Sequence, residues 1–237
     1  MDELLLIAAQ AAIVGGLGLI YAAIPGRSMN PRWLVAGLAL LFLYDFLITG
    51  GFFRVPLSPD GWQWNWYGKL AGVAGMLVVA ALPAFGWRQV GIRTSQGRRP
   101  IVPIIVTGAL MALFAWMAMG DGEGASDLET ILFQWTMPGL DEELFYRGVL
   151  LLAMDRALPQ RMKLAGAQIG FGGLLTSVAF GLAHALSVDD GIFGFDWMTF
   201  ALTGGPSLIL LWLRARTGSL LLPVIAHNFA NGIGTLI

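Results

Sequence analysis

The chain has 237 residues, 57% hydrophobic and only 12% charged, about half the charged share of a soluble domain. With a mean hydropathy of +0.71, this excludes an ordinary water-facing surface, and a net charge of −1 leaves no basic footprint for nucleic acid. Cysteine is absent, which excludes disulfides and cysteine-ligated metals.

A hydrocarbon core about 30 Å thick takes roughly 20 residues of apolar helix, and eight stretches approach that length. The first, Leu4–Ile24, follows an acidic start and is too long for a signal core, so it reads as a retained span. Trp33–Phe53 and Lys69–Trp87 come next, separated by the aromatic segment holding Trp62, Trp64, Trp66 and Tyr67. Such rings settle at the headgroup level, with substrate gating as the sharper alternative. Asp45 and Lys69, at span ends, are expected to snorkel to the interface and are assigned no role. Ile101–Met119, Glu129–Met154, Ile169–Ser187, Met198–Leu213 and Ser219–Ile237 complete the set. Within the seventh, Gly204-Gly205-Pro206 predicts a broken or tilted helix.

Loop charge tests this division. Arg27, Arg32, Arg88, Arg93, Arg98, Arg99, Arg156, Arg161, Lys163, Arg214 and Arg216 all fall in odd-numbered loops. The even-numbered loops hold only Arg54 and the boundary residue Lys69, and two are acidic: Asp121, Glu123 and Asp127 in one, Asp189, Asp190 and Asp196 in the other. Basic residues collect on the cytoplasmic side. The expectation is an all-α, polytopic membrane bundle of about eight transmembrane helices with both termini non-cytoplasmic. Residues 1–127 would form four spans with little motif content, and residues 128–237 a catalytic core.

Ionisable side chains at membrane depth are costly and mark function by default. The fifth stretch carries Asp141-Glu142-Glu143 and then Arg147. Residues four apart share a helix face, so Glu143 and Arg147 should pair. Glu142, rotated about 100° away, should stay unpaired, and the two carboxylates should titrate apart, one structural and one a general base. Pro138-Gly139 should break or start the helix and help water reach Glu142. The sixth stretch places Phe180 and His184 on one face, and the eighth does the same for His227 and Asn231. Small residues such as Gly181 and Ala230 let neighbouring helices approach. By itself each constellation also reads as helix-packing polar glue. At 1.5 Å per residue all three fall near one layer of the outer half of the membrane, which favours a shared buried site.

Glu-Glu-x-x-x-Arg, Phe-x-x-x-His and His-x-x-x-Asn, in that order across roughly residues 128–237, resemble the CPBP family of CAAX prenyl proteases and bacteriocin-processing enzymes, also called the ABI family. The resemblance implies a glutamic-type intramembrane peptidase without a cofactor. Glu142 with His184 would deprotonate a water, His227 and Asn231 would form the oxyanion hole, and Glu143 with Arg147 would hold the first motif helix. The implied partners are the bilayer and a peptide or protein substrate, prenylated or otherwise membrane-anchored.

Three other readings compete. A zinc peptidase would take its ligands from Glu142 or Glu143, His184 and His227, although His-Glu-x-x-His is missing. A non-catalytic scaffold or immunity protein would use the same fold. A proton-coupled transporter would be expected to show an internal repeat, and none is visible.

Overall fold

The computed structural model describes residues 2–97, 100–121 and 124–237, without the side chains of Phe53 and Asp121. Besides the one-turn helices Gly50–Phe53 and Trp87–Val90 and a 3-10 turn at Ile233–Leu236, nine longer helices carry the described chain: α1 (Asp2–Ala22), α2 (Pro31–Ile48), α3 (Trp66–Ala81), α4 (Ile101–Asp121), α5 (Leu128–Gln134), α6 (Met137–Glu143, continued through Ala157), α7 (Phe171–Ala185), α8 (Trp197–Thr217) and α9 (Leu221–Gly232). Four are long and apolar enough to cross a membrane: α1, α2, α4 over Ile101–Gly120, and α8; α3 and α7 are shorter apolar helices.

Two short antiparallel hairpins interrupt the helical pattern, β1–β2 (Arg161–Leu164 with Ala167–Gly170) and β3–β4 (Leu186–Asp189 with Ile192–Phe195). The chain is therefore mostly helical rather than all-α. The hairpins flank α7 and take up both ends of the expected span Ile169–Ser187, so the helix itself is shortened to Phe171–Ala185; Ala165 and Asp190 take positive φ in their turns.

Helix starts follow local chemistry. Asn30 accepts from Arg32 N at 3.1 Å ahead of Pro31, and Asn65 accepts from Gly68 N at 2.9 Å, each capping an orphan amide. Asp196 opens α8 by accepting from Met198 N at 2.8 Å and from Thr199. Those bonds hold its carboxyl below the usual range.

The expected break in the seventh stretch does not occur: α8 runs unbroken with Pro206 inside it. Of the two glycines before Pro206, Gly204 serves packing, while Gly205 has no neighbour within 4 Å. A methyl on Gly181 of α7 would stand 2.8 Å from the Phe200 ring and 3.3 Å from Gly204 Cα, so these helices touch backbone to backbone. A proline inside a membrane helix is tolerated where neighbours compensate. The fifth stretch, in contrast, is divided. It ends one helix at Gln134, restarts at Met137 and widens into a π-helix over Leu144–Leu150 before closing as Leu151–Ala157.

Connections gather at two ends. Asn30 N donates to Ala157 O at 2.8 Å, Leu220 N to Gly91 O at 3.0 Å, and Arg93 Nη2 to Thr217 O at 2.8 Å, bringing the Arg-rich loops together. Arg98, Arg99 and Glu123 lie outside the described residues. At the other end Ser126 N donates to Thr235 O at 3.0 Å. There Glu129 also accepts from Gln63 N, Trp64 N and Trp66 Nε1, and Trp64 stacks on Phe133 at 5.1 Å.

The core is packed by Tyr44, Phe145, Tyr146, Met154 and Phe180, while Ile20, Val35, Ile101, Ile105, Trp116 and Leu202 point outward. An apolar exterior over an equally apolar interior fits the bilayer as solvent. The apolar helices mark a membrane protein.

Gly172 tests the packing. A methyl there would collide with the Met154 carbonyl, a backbone atom that cannot swing aside. Gly172→Ala should cost about 1–3 kcal/mol, read as a lower thermal midpoint in detergent; an unchanged midpoint would show that α6 and α7 are not in close contact.

Candidate active site

Pro138 sits in the first turn of α6, so the anticipated break is where this helix begins. Gly139 N donates to Asn228 Oδ1 at 2.7 Å. A methyl on Gly139 would stand 2.6 Å from that oxygen and 2.8 Å from Val224 O. Glycine therefore lets α6 lie directly on α9, which carries His227.

From this start three consecutive carboxylates fan out, each turned about 100° from the last. Asp141 faces the first half of the chain, accepting from the Tyr44 hydroxyl at 2.5 Å. Glu142 faces a cavity. Glu143 faces α9 and the helix interior. The π-helix that follows adds a residue to the turn, a distortion often found at functional sites.

Glu143 and Arg147 pair at 3.1 Å with both side chains fully buried. His227 Nδ1 donates to Glu143 Oε1 at 2.7 Å, and the Arg147 guanidinium lies 4.4 Å from the Phe180 ring centre. One buried pair thus ties the first motif to the other two.

Glu142 is not unpaired, contrary to expectation. Lys69 Nζ lies 2.7 Å from its Oε1 and 3.1 Å from Asp141 Oδ2. Lys69 does not snorkel: its side chain is only 14% exposed. It stands one turn inside α3 on the face that Gly68 and Gly72 hold close to α2 and α6, where a methyl on Gly72 would be 2.5 Å from Asp141 Oδ1.

The second oxygen of Glu142 turns towards both imidazoles. Its Oε2 is 3.9 Å from His184 Nε2 and 3.7 Å from His227 Nε2, and it has no direct hydrogen bond among the described residues. Both distances exceed a hydrogen bond. A single water about 2.8 Å from each atom would satisfy all three.

The histidines differ in what orients them. His184 Nδ1 is 2.8 Å from Phe180 O. A carbonyl only accepts, so Nδ1 carries a proton and donates to it, while Nε2 faces Glu142. His227 rests on a carboxylate instead, and a carboxylate can stabilise a ring protonated on both nitrogens.

Glu142, Phe180, His184, His227 and Asn231 line one cavity of about 190 Å³, walled by Leu110, Phe114 and Leu210 among others. All four residues read as catalytic from sequence therefore meet in one place. Asn231 contributes through the cavity wall and makes no hydrogen bond among the described residues. Chemically, the cavity offers a carboxylate and an unprotonated imidazole nitrogen as proton acceptors. It also offers an imidazole and an amide as donors, with Thr203 and Ser207 among otherwise apolar walls.

Removing half of the buried pair should be severe. Glu143→Ala leaves the Arg147 charge without a partner in the interior, which should cost about 3–5 kcal/mol. Glu143→Leu combined with Arg147→Met should recover most of that loss. Unfolding midpoints in detergent check both; a Glu143→Ala midpoint equal to wild type would mean the pair is solvated.

Comparison with known proteins gives one family-level match. Residues 124–233 match the model described as type II CAAX prenyl endopeptidase Rce1-like, a range holding all three motifs and excluding Tyr44 and Lys69. No curated protein and no solved structure matches the chain. Over residues 124–233 the chain carries a type II CAAX prenyl endopeptidase Rce1-like domain, in agreement with the resemblance borne by its ordered motifs.

Proposed function

We propose that the protein is an intramembrane endopeptidase that hydrolyses a peptide bond with a water activated by Glu142 and His184. One observation carries this reading: Glu142 Oε2 faces two imidazole Nε2 atoms, at 3.7 and 3.9 Å, inside a single cavity. Family membership over residues 124–233 supports a CAAX-protease-like peptidase in general. The roles of individual residues are those the motif resemblance implies, and the approach of Glu142 to His184 and His227 supports them.

In the proposed reaction the water oxygen attacks the scissile carbonyl carbon while its proton passes to the Glu142–His184 set. The carbonyl π electrons move onto oxygen, where His227 Nε2–H and the Asn231 amide donate to the developing charge. Donation to the oxyanion from Nε2 while Nδ1 donates to Glu143 requires a proton on each ring nitrogen, and Glu143 at 2.7 Å is the counter-charge. When the tetrahedral intermediate collapses, the carbon–nitrogen bond breaks and the held proton goes to the departing amine. The largely apolar walls, with Leu110, Phe114 and Leu210 among them, lower the local dielectric and strengthen each of these interactions.

The pairing of Glu142 with Lys69 supports a metal-free mechanism. A divalent ion held by Glu142, His184 and His227 would sit beside an ammonium already bound to the same carboxylate, and like charges would repel. The substrate proposed is a peptide or protein held at the membrane by a prenyl or other anchor. The loop charges support an arrangement with both termini outside, and residues 128–237 as the catalytic core on a four-span N-terminal half.

The test is hydrolysis of prenylated and unprenylated peptides by purified protein in detergent or vesicles. Glu142→Gln and His184→Ala should each lower kcat by about 10²–10⁴-fold, and Asn231→Ala by about 10²–10³-fold, with unfolding midpoints retained. Activity should persist in strong chelator with no bound metal. Full activity of Glu142→Gln would overturn the mechanism, and loss of activity with metal removal would replace it with zinc chemistry.

A further inference from the structure

Lys69 comes from α3, well before residue 124, and reaches into the site from a half of the chain that the motifs do not touch. Its ammonium takes Glu142 Oε1 at 2.7 Å and Asp141 Oδ2 at 3.1 Å. Two features hold it there. Asp141, fully buried, is fixed by the Tyr44 hydroxyl on the same oxygen at 2.5 Å, and Tyr44 is itself stacked on Phe145 at 3.9 Å. At the other end Asn65 caps α3 through Gly68 N and donates to Ile48 O at 2.8 Å, setting the first turn on α2.

A carboxylate serving as base beside two imidazoles needs a defined free oxygen and a counter-charge, because an isolated buried charge is costly. With Oε1 taken by Lys69, the group cannot rotate away, and Oε2 is the oxygen left for the imidazole side. Tyr44, Asp141 and Lys69 thus form a chain of hydrogen bonds ending on the base. The imidazoles lie on the opposite side of Glu142, so Lys69 acts on the reaction without touching a substrate in the cavity, and it does not line that cavity.

We infer that Lys69 is a positioning residue for peptide hydrolysis, holding one oxygen of Glu142 so that the other faces His184 and His227. The inference rests on the hydrolytic role proposed for Glu142. It predicts that the first half of the chain completes the site rather than only supporting it.

The experiment compares wild type, Lys69→Met, Lys69→Arg, Tyr44→Phe and Glu142→Gln, with a Lys69→Met/Glu142→Gln double variant, in the full chain on one peptide substrate. Lys69→Met should lower kcat roughly ten- to hundred-fold with KM little changed, the scale on which hydrogen-bond partners of reactive groups act. Lys69→Arg should recover much of that loss, and Tyr44→Phe should show a smaller one. The double variant should be no slower than Glu142→Gln alone, because both changes act through one group. If Lys69→Met unfolds, the comparison of Lys69→Arg with Tyr44→Phe carries the test, since both keep a charge or shape in place.

Wild-type activity abolished by Glu142→Gln, together with full kcat in Lys69→Met, would overturn the role of Lys69 and leave the proposed function standing. Loss in Lys69→Met that appears equally in KM and folding, with no recovery by Lys69→Arg, would make Lys69 a structural ion pair and also overturn it. A wild type that cleaves no peptide, with Glu142→Gln indistinguishable from it, would remove the proposed function and this inference together.

Discussion

Burying charge at membrane depth is the constraint around which this molecule is arranged. Asp141, Glu142 and Glu143 follow one another on a single helix, and Asp141 and Glu143 are fully buried. Each acid would be costly alone, so each is met by a partner from a different element: Tyr44 and Lys69 for Asp141, Lys69 for Glu142, Arg147 and His227 for Glu143. These partners come from α2, α3 and α9 as well as from α6 itself. The helices are therefore fixed around the acids as much as by apolar contact, which is a weak guide to register when lipid is as apolar as leucine.

That arrangement also explains the irregular backbone of the central segment. A straight helix through residues 129–154 would present its acids at even steps along one cylinder. Instead the chain restarts at Met137, packs Gly139 against α9, and opens into a π-helix just after Glu143. The restart sets the depth of the acids, and Gly139 sets their distance from His227. Irregularity sits where the chemistry is, while α1, α4 and α8 run as uninterrupted rods.

Much of this was legible in the sequence, and the gaps have physical causes. Helix periodicity links residues four apart, so Glu143 with Arg147, Phe180 with His184, and His227 with Asn231 could be paired before any coordinates. It has no means of linking Lys69 to Glu142, which lie 73 residues apart in the chain; a lone lysine at a span start reads as interfacial by default. The one available signal was electrostatic: three adjacent acids with a single arginine needed another cation. Pro206 does not break α8, because packed neighbours can compensate a proline inside a membrane helix. The two hairpins, built from four-residue strands, are too short to leave a periodic signature between long apolar runs.

The central claim is that one water is shared by Glu142 Oε2, His184 Nε2 and His227 Nε2. An experimental structure at a resolution that shows ordered solvent, with diffraction also recorded at the zinc absorption edge, tests it most directly. The account predicts a water within about 3 Å of Glu142 Oε2 and His184 Nε2, with no anomalous signal at that point. An anomalous peak there, or a lipid chain separating the carboxylate from both imidazoles, would contradict it.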